Sequence, residues 1–254
     1  MQDKNSCSEE SEAAADSAPR HRRALIVAPA WIGDAVLSQP LLARLHQQHP
    51  EVQLDILAPA WVAPVYERMP ETSEIFHNPF AHGTLALSER WRLARKLAGR
   101  AYEQAYILPN SFKSALIPFF AGIPERIGFT GEARYGLVNR RHALDKAALP
   151  LMVERFAQLA EPPGTLPKPP IPYPKLLSNP EQQSATLAAL GLKSDQRPIV
   201  FCPGAEYGPA KRWPASHFAA LARALAERSH EVWLLGSDKD TLTGEAIREC
   251  APGT

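Results

Sequence analysis

Apolar and polar positions follow one another along this chain in a strand-then-helix order. Residues 24–28 (ALIVA) form an unbroken apolar run, the mark of a short strand buried on both faces. Helical spacing comes next: Val36, Leu37, Leu41 and Leu45 lie on one side of a helix over 34–48, with Pro40 predicting a kink or a late helix start. The order then repeats. Strands are predicted at 53–57, 74–76, 104–108 and 126–129, and helices just beyond Trp61 and at 87–99, 112–121 and 147–160. Buried strands alternating with helices predict an α/β domain with a parallel sheet. The tetrapeptide Ala-Pro-Ala-Trp occurs at 28–31 and again at 58–61, each time after a predicted strand, which reads as two similar strand-to-helix turns of one sheet.

Seven prolines then fall within residues 161–174. Such a stretch is neither helix interior nor central strand, so an extended, semi-rigid linker is expected over 161–178. Beyond it a helix is predicted at 179–190, with Pro180 near its first turn and Gly191 just past its end. Strands at 198–202 and 231–235 and helices at 215–228 and 238–250 begin a second parallel sheet. Two parallel strands make a poor sheet, so the second domain is expected to be incomplete over these residues.

Composition bounds the classes. At about 150 residues per domain, 254 residues correspond to roughly 1.7 domains. Hydrophobic residues are 45% and charged residues 22% of the chain, which excludes a wholly disordered protein. No window approaches the ~18 uninterrupted apolar residues of a membrane span. The formal net charge of +1 argues against a dedicated nucleic-acid binder. Residues 23–160 carry 15 basic and 12 acidic side chains, a mild basic excess that suits an acidic substrate only weakly. Cys7, Cys202 and Cys250 have neither metal spacing nor a disulfide framework, and a reducing cytoplasm is the expected compartment. The histidines show no ligand spacing, so no metal is expected. Residues 1–22, rich in Ser, Ala and Glu, have no apolar h-region; they are expected to be a disordered tail and not a secretory signal. The expected organisation is therefore tail 1–22, α/β domain 23–160, linker 161–178 and partial α/β domain 179–254.

In open α/β sheets ligands bind beyond the carboxyl ends of the strands, and three such loops carry candidate chemistry. In the first, Gly33 allows close backbone approach and Asp34 stands at a helix start, as an N-cap or as a general base aimed into a cleft. In the second, Asn110, Ser111, Lys113 and Ser114 supply donors for an anion, or else cap a helix beside a solvated lysine. In the third, residues 203–214 (PGAEYGPAKRWP) join Gly204, Ala205, Glu206 and Gly208 to the Lys211-Arg212 pair ahead of a helix, a natural diphosphate site or a polar loop capped by Ser216. Neither a dinucleotide fingerprint nor a P-loop is present. The predicted helix at 87–99 and the residue just beyond it carry Arg90, Arg92, Arg95, Lys96 and Arg100 beside Trp91; this is either a solvated face or a contact for an anionic membrane surface.

Taken together, Trp31-Ile32-Gly33-Asp34, residues 108–122 (LPNSFKSALIPFFAG), 123–128 (IPERIG), 134–137 (RYGL) and 203–214 resemble the heptosyltransferases of glycosyltransferase family 9, from about residue 24 onward. The two long stretches carry most of the specificity. The resemblance implies a GT-B fold, two Rossmann-like domains facing each other across a cleft, with the acceptor in the first and the nucleotide sugar in the second. It implies an inverting transfer of L-glycero-D-manno-heptose from ADP-heptose to the heptosyl-Kdo-lipid A inner core of lipopolysaccharide, with no cofactor and no strict need of a metal. Asp34 would be the base. Lys211, with the backbone of Gly204, Ala205 and Glu206 and with Arg212, would stabilise the leaving diphosphate, and Ser237 and Asp238 would meet the nucleotide's ribose. Gly33, Asn110, Ser111, Lys113 and Arg126 would face the acceptor. The family's later Asp-Ser-Gly-type loop is not found among these residues, so a chain truncated after residue 254 is expected. The rivals are a nucleotide-sugar epimerase of the same architecture and an acceptor-binding remnant without catalysis.

Overall fold

The computed structural model describes residues 22–80, 83–192, 197–205 and 209–252. The chain divides into two compact units, Met1–Ser178 and Asn179–Thr254. The first runs β1 (Arg23–Val27), α1 (Ile32–Leu37), α2 (Gln39–Gln48), β2 (Gln53–Ala58), α3 (Ala63–Tyr66), β3 (Thr72–His77), α4 (Leu87–Ala98), β4 (Gln104–Ile107), α5 (Phe112–Phe120), β5 (Glu125–Phe129), β6 (Arg140–His142) and α6 (Met152–Gln158). Its six strands are all parallel, in the order β3-β2-β1-β4-β5-β6. This is the α/β architecture that the alternating pattern predicts.

The central strands are mostly apolar because they are covered on both faces; the buried exception, Asp55 of β2, accepts from Arg23 at 3.0 Å and from the Tyr102 hydroxyl at 2.8 Å. Ala24 and Ile26 pack with Leu41, Leu42, Leu54 and Phe156 on one side. Leu25 and Val27 pack with Leu57, Leu97, Ile107 and Ile117 on the other. Side chains of a strand alternate between faces, so the five-residue run of β1 feeds two separate cores.

Pro40 decides the shape of the first crossover. It has no N–H to give to the carbonyl of Val36, and the helix breaks at Ser38 into α1 and α2. Ser38 Oγ closes the break by donating to the Ala35 carbonyl at 2.7 Å, and it shares a second bond of 2.9 Å with the buried Tyr66 hydroxyl. The late start of the second helix was one of the two outcomes that Pro40 allowed.

Two elements differ from the sequence expectation. The strand β6 was not expected; its sequence, Arg-Arg-His, is polar because β6 is an edge strand with two exposed residues. The helix expected at 147–160 starts only at Met152, because Pro150 disfavours helical geometry in the residue before it. The proline-rich stretch is free of helix and strand between residues 162 and 179 and lies along the first unit. Arg44 Nε bonds Glu161 at 3.1 Å and Arg44 also donates to the Lys168 carbonyl at 3.0 Å. Gln39 Nε2 donates to the Lys175 carbonyl at 2.8 Å, and the Leu177 N–H to the Arg68 carbonyl at 2.8 Å.

The second unit runs α7 (Pro180–Ala189), β7 (Ile199–Phe201), α8 (Ala215–Ala226), β8 (Val232–Leu234) and α9 (Thr241–Cys250). The strands β7 and β8 pair in parallel. Asn179 caps α7 by accepting from the N–H groups of Glu181 and Gln182. Phe201, Ala219, Ala222, Ile247 and Ala251 form a small core, and Val200 on the strand is 47% exposed. Among the described residues no helix is long and apolar enough to cross a membrane.

Candidate functional site

Each unit carries a cleft at the carboxyl ends of its strands. In the first unit, β1 and β4 are neighbours, and the chain leaves them toward opposite faces of the sheet. The loops therefore part, and the crevice between them is the switch point where such sheets take ligands. A cleft of about 580 Å³ lies there. Trp31, Asp34, Asn110, Ser111, Lys113 and Phe129 are among the residues that line it.

Asp34 sits in the first turn of α1, but it is not the N-cap; that position belongs to Trp31. Its carboxylate has no hydrogen-bond or ion-pair partner among the described residues. It is half-buried, and burial pushes its pKa above the ordinary carboxylate value. A carboxylate left under-solvated in a cleft is a stronger base than one in water. No neighbour lies within 4 Å of where a Cβ of Gly33 would stand, so packing does not require glycine there.

The start of α5 is arranged differently from the expectation of free donors. The Phe112 N–H is taken by Glu132 at 2.8 Å and the Ser114 N–H by Ser111 Oγ at 3.3 Å. The protein's own oxygens thus occupy this helix N-terminus, while Asn110 and Lys113 are among the residues that line the cleft. Lys113 has no ion-pair partner among the described residues.

Arg126 lies elsewhere. As the second residue of β5 it stands at the amino end of the sheet, away from the cleft. Its guanidinium donates to the carbonyls of Ile123 and Leu137, both at 2.6 Å, and of Gly136 at 3.2 Å. Two other arginines line the cleft instead: Arg90, expected only as part of a basic helix face, and Arg155, which the sequence did not single out. Arg90 donates to the carbonyls of Leu85 (2.7 Å), Thr84 (3.2 Å) and Lys113 (3.2 Å), and stacks over Phe80. Arg155 donates to the carbonyls of Leu149 and Pro150. Both tie loops together, a role that no local sequence signal announces. The basic character of α4 and its flank is reduced by the same kind of pairing. Arg90 is buried on backbone carbonyls, Arg92 meets Glu89 and Arg100 meets Glu74, which leaves Arg95 and Lys96 as exposed cations without an ion-pair partner among the described residues.

The cleft of the second unit, about 310 Å³, is lined by Gly204, Ala205, Arg212, Gly236, Lys239 and Asp240, with Cys202 and Leu235. It brings together Gly204, Ala205 and Arg212 of the expected donor loop. Arg212 donates to the Ala205 carbonyl at 3.1 Å, closing that loop on itself. Lys211 is exposed at the end of a short 3-10 turn and does not line the cleft. Glu206 lies outside the described residues. Ser237 lines an adjoining hollow.

The carboxylate in this cleft is Asp240, two residues beyond Asp238. Asp240 accepts from the Ser237 N–H at 2.9 Å and from Ser237 Oγ at 2.8 Å. The backbone bond, then the side-chain bond, hold its pKa below the ordinary value, with Arg212 and Lys239 adding to the effect. Glycine is required beside it: a Cβ on Gly204 would stand 2.3 Å from the Asp240 carboxylate carbon, and one on Gly236 would stand 2.9 Å from its Cβ. Asp238 is exposed, and its carbonyl accepts from Thr241 Oγ1. Spacing in the sequence does not separate two aspartates in one turn; the packing against Gly204 does.

The family model of glycosyltransferase family 9 (heptosyltransferase) matches residues 90–254. The chain belongs to this family. Lipopolysaccharide heptosyltransferase 2 of Escherichia coli K12 is 46% identical to it over 229 residues, 88% of this chain and 66% of that protein. Lipooligosaccharide heptosyltransferase 2 of Haemophilus ducreyi is 43% identical over 231 residues, again 88% of this chain and 66% of the relative. The chain therefore spans 66% of the length of these relatives. The solved structure of E. coli ADP-heptose lps heptosyltransferase II superposes with a TM-score of 0.84 at 42% identity, covering 91% of this chain and 69% of that one. The fold is thereby that of the GT-B heptosyltransferases.

Proposed function

We propose that this family 9 member takes part in an inverting transfer of L-glycero-D-manno-heptose from ADP-heptose to the heptosyl-Kdo-lipid A inner core. In this reading the first unit holds the acceptor and the second the nucleotide sugar. The observation that carries it is Asp34, a half-buried carboxylate without a partner among the described residues, at the switch point of a parallel sheet. An acceptor hydroxyl is a poor nucleophile at neutral pH. Asp34 would take its proton as the oxygen attacks the anomeric carbon, opposite the departing ADP. The new C–O bond forms as the bond to the β-phosphate oxygen breaks, and ADP carries away the electron pair.

Asn110, Ser111 and Lys113 would hold polar and anionic groups of the acceptor. Arg126, with its guanidinium spent on four carbonyls, would support the loop after β5 rather than touch substrate. In the second unit the backbone of Gly204 and Ala205, with Arg212 and Lys211, would stabilise charge on the diphosphate. Gly33, next to Asp34 in the chain, would let the acceptor approach the backbone there. Ser237, fixed by Asp240, would offer its loop to the ribose, and Asp238 would stay in solvent. No cofactor enters the reaction.

Work on a lipid-linked acceptor calls for contact with an anionic membrane surface, at the cytoplasmic face of the inner membrane. The exposed side chains Leu87, Trp91, Arg95 and Lys96 of α4 suit it. The experiment is direct. The chain is mixed with ADP-heptose and heptosyl-Kdo-lipid A, and heptosylated product is followed by mass spectrometry together with ADP release. Product with stoichiometric ADP supports the reading; acceptor that fails to bind the chain at all overturns it.

A further inference from the structure

The cleft of the first unit contains an asparagine whose side chain is held from behind. Asn110 is exposed to the cleft, yet its amide packs against the loop between β5 and β6. Arg134, on that loop, is 3% exposed. Its guanidinium reaches back under the cleft floor and donates to the Pro109 carbonyl at 2.9 Å, to the Phe129 carbonyl and to Asn110 Oδ1. A guanidinium has donors only, so the amide must turn its oxygen toward Arg134. That leaves Nδ2, which has no acceptor among the described residues, as a donor of fixed direction.

Two more features of the loop agree. Gly131 meets the amide face to face: a Cβ at 131 would stand 2.5 Å from Asn110 Nδ2 and 2.9 Å from its Cγ. Glu132 caps the start of α5, only two residues beyond Asn110, by accepting from the Phe112 N–H. Glu132 and Ala133 hold left-handed backbone angles, φ 39° and 50°. Such angles persist in residues other than glycine only where surrounding contacts over-determine them.

We propose that Arg134 and Gly131 are positioning residues that aim the Asn110 amide N–H donors at an oxygen-rich group of the acceptor, a phosphate, carboxylate or sugar hydroxyl. The inference rests on the acceptor-binding reading of this cleft. Arg134 touches no ligand; it acts through Asn110. The arrangement also explains why a residue buried beneath the cleft carries a full positive charge: every carbonyl and amide oxygen it meets belongs to the turn that bears Asn110 or to the strand end beside it.

Arg134 is part of the interior, so its removal mixes binding with folding. Asn110→Asp and Gly131→Ala avoid this. Asn110→Asp keeps the contact to Arg134 and makes it an ion pair, so thermal stability holds or rises. The same change deletes the N–H donors and places negative charge before an anionic acceptor. Affinity for heptosyl-Kdo-lipid A, measured by titration calorimetry, is expected to fall about ten- to a hundredfold, the usual effect of losing a hydrogen bond to a charged group. Gly131→Ala needs no left-handed backbone angle, and its methyl meets the Asn110 amide first. It is expected to weaken binding several-fold in the wild-type background and to have no effect in an Asn110→Ala background. Wild-type affinity in Asn110→Asp, or an equal effect of Gly131→Ala in both backgrounds, would overturn the proposal. If the wild-type chain binds no acceptor, the functional reading fails by itself. The positioning claim is then decided by the Asn110 side-chain amide signal of ¹⁵N-labelled protein. It should shift on Arg134→Lys and on Gly131→Ala, and an unmoved signal would refute the claim.

Discussion

The two units use one strand-turn-helix plan but treat a carboxylate near a helix start in opposite ways. In the first unit Asp34 enters a cleft walled by a deep interior. The bulkiest fully buried side chains, among them Leu25, Ile26, Leu41, Ile56, Leu97 and Ile107, all lie in that unit. No donor reaches the Asp34 carboxylate among the described residues, and burial raises its pKa. In the second unit the core is small and the cleft wall is a glycine-bearing loop. There Asp240 receives two hydrogen bonds from Ser237, and its pKa is lowered. Burial without partners makes a base. Hydrogen bonding in an open loop makes a fastener. The same residue type, just past a parallel strand, is left free for chemistry in one place and is used for architecture in the other.

The comparison can be broken most sharply at these two aspartates. Asp34→Asn is expected to lower transfer by roughly 10²–10⁴ while leaving the chain at least as stable, because the ionised form is the one the fold disfavours. Its raised pKa also sets a sign: wild-type activity should fall as pH drops through a value higher than that of an ordinary aspartate. Differential scanning fluorimetry beside the rate assay checks both halves. A destabilised Asp34→Asn would make Asp34 structural. Asp240→Asn should behave in the reverse sense. Its pKa is depressed in the folded state, so the stability it lends is present at neutral pH and fades as pH falls toward that lowered value. The protection of the Ser237 amide, its exchange rate measured against the intrinsic rate at the same pH, should therefore fall in acid for the wild type and already be low at neutral pH in the variant.

Next in size are the two cores. Ile26→Ala should lower the unfolding free energy by about 2–5 kcal/mol, since its site is closed on every side. Ile247→Ala, in the small core of the second unit, should fall near the lower end of that range. Denaturant melts of both variants decide it, and a larger loss at Ile247 would reverse the ranking.

Glycine gives the smallest pair. Gly204→Ala drives a methyl into the Asp240 carboxylate and is expected to weaken the second unit by about 1–3 kcal/mol and reduce ADP affinity with it. Gly33→Ala, which meets nothing within 4 Å, should change stability by less than ~0.5 kcal/mol.

The alternation of apolar runs and helical spacing made most of the sheet legible, because a strand covered on both faces is mostly apolar. The edge strand β6 was invisible for the converse reason: Arg140 and Arg141 are exposed, and only backbone pairing with β5 makes them a strand. Loop ends were legible as chemistry but not as assignments. Asp34 could be read as either cap or base until its position in α1 was known. Asp238 and Asp240 could not be ranked without Gly204 standing against one of them. Arg90 and Arg134 stood in stretches that the sequence singled out, but their roles could not be read, since what gives each its role is mostly a set of backbone carbonyls, and carbonyls belong to every sequence. Arg126 sat in a recognisable motif, yet its place at the amino end of β5 turns it away from the cleft.

The division of labour between the units can be tested without any turnover. Hydrogen exchange of backbone amides is measured on the chain alone, with ADP, and with heptosyl-Kdo-lipid A. ADP should protect residues 202–205 and 234–240 and leave 28–34 and 108–113 unchanged, while the acceptor should do the reverse. Protection of the first unit's loops by ADP, or of the second unit's by the acceptor, would contradict the account.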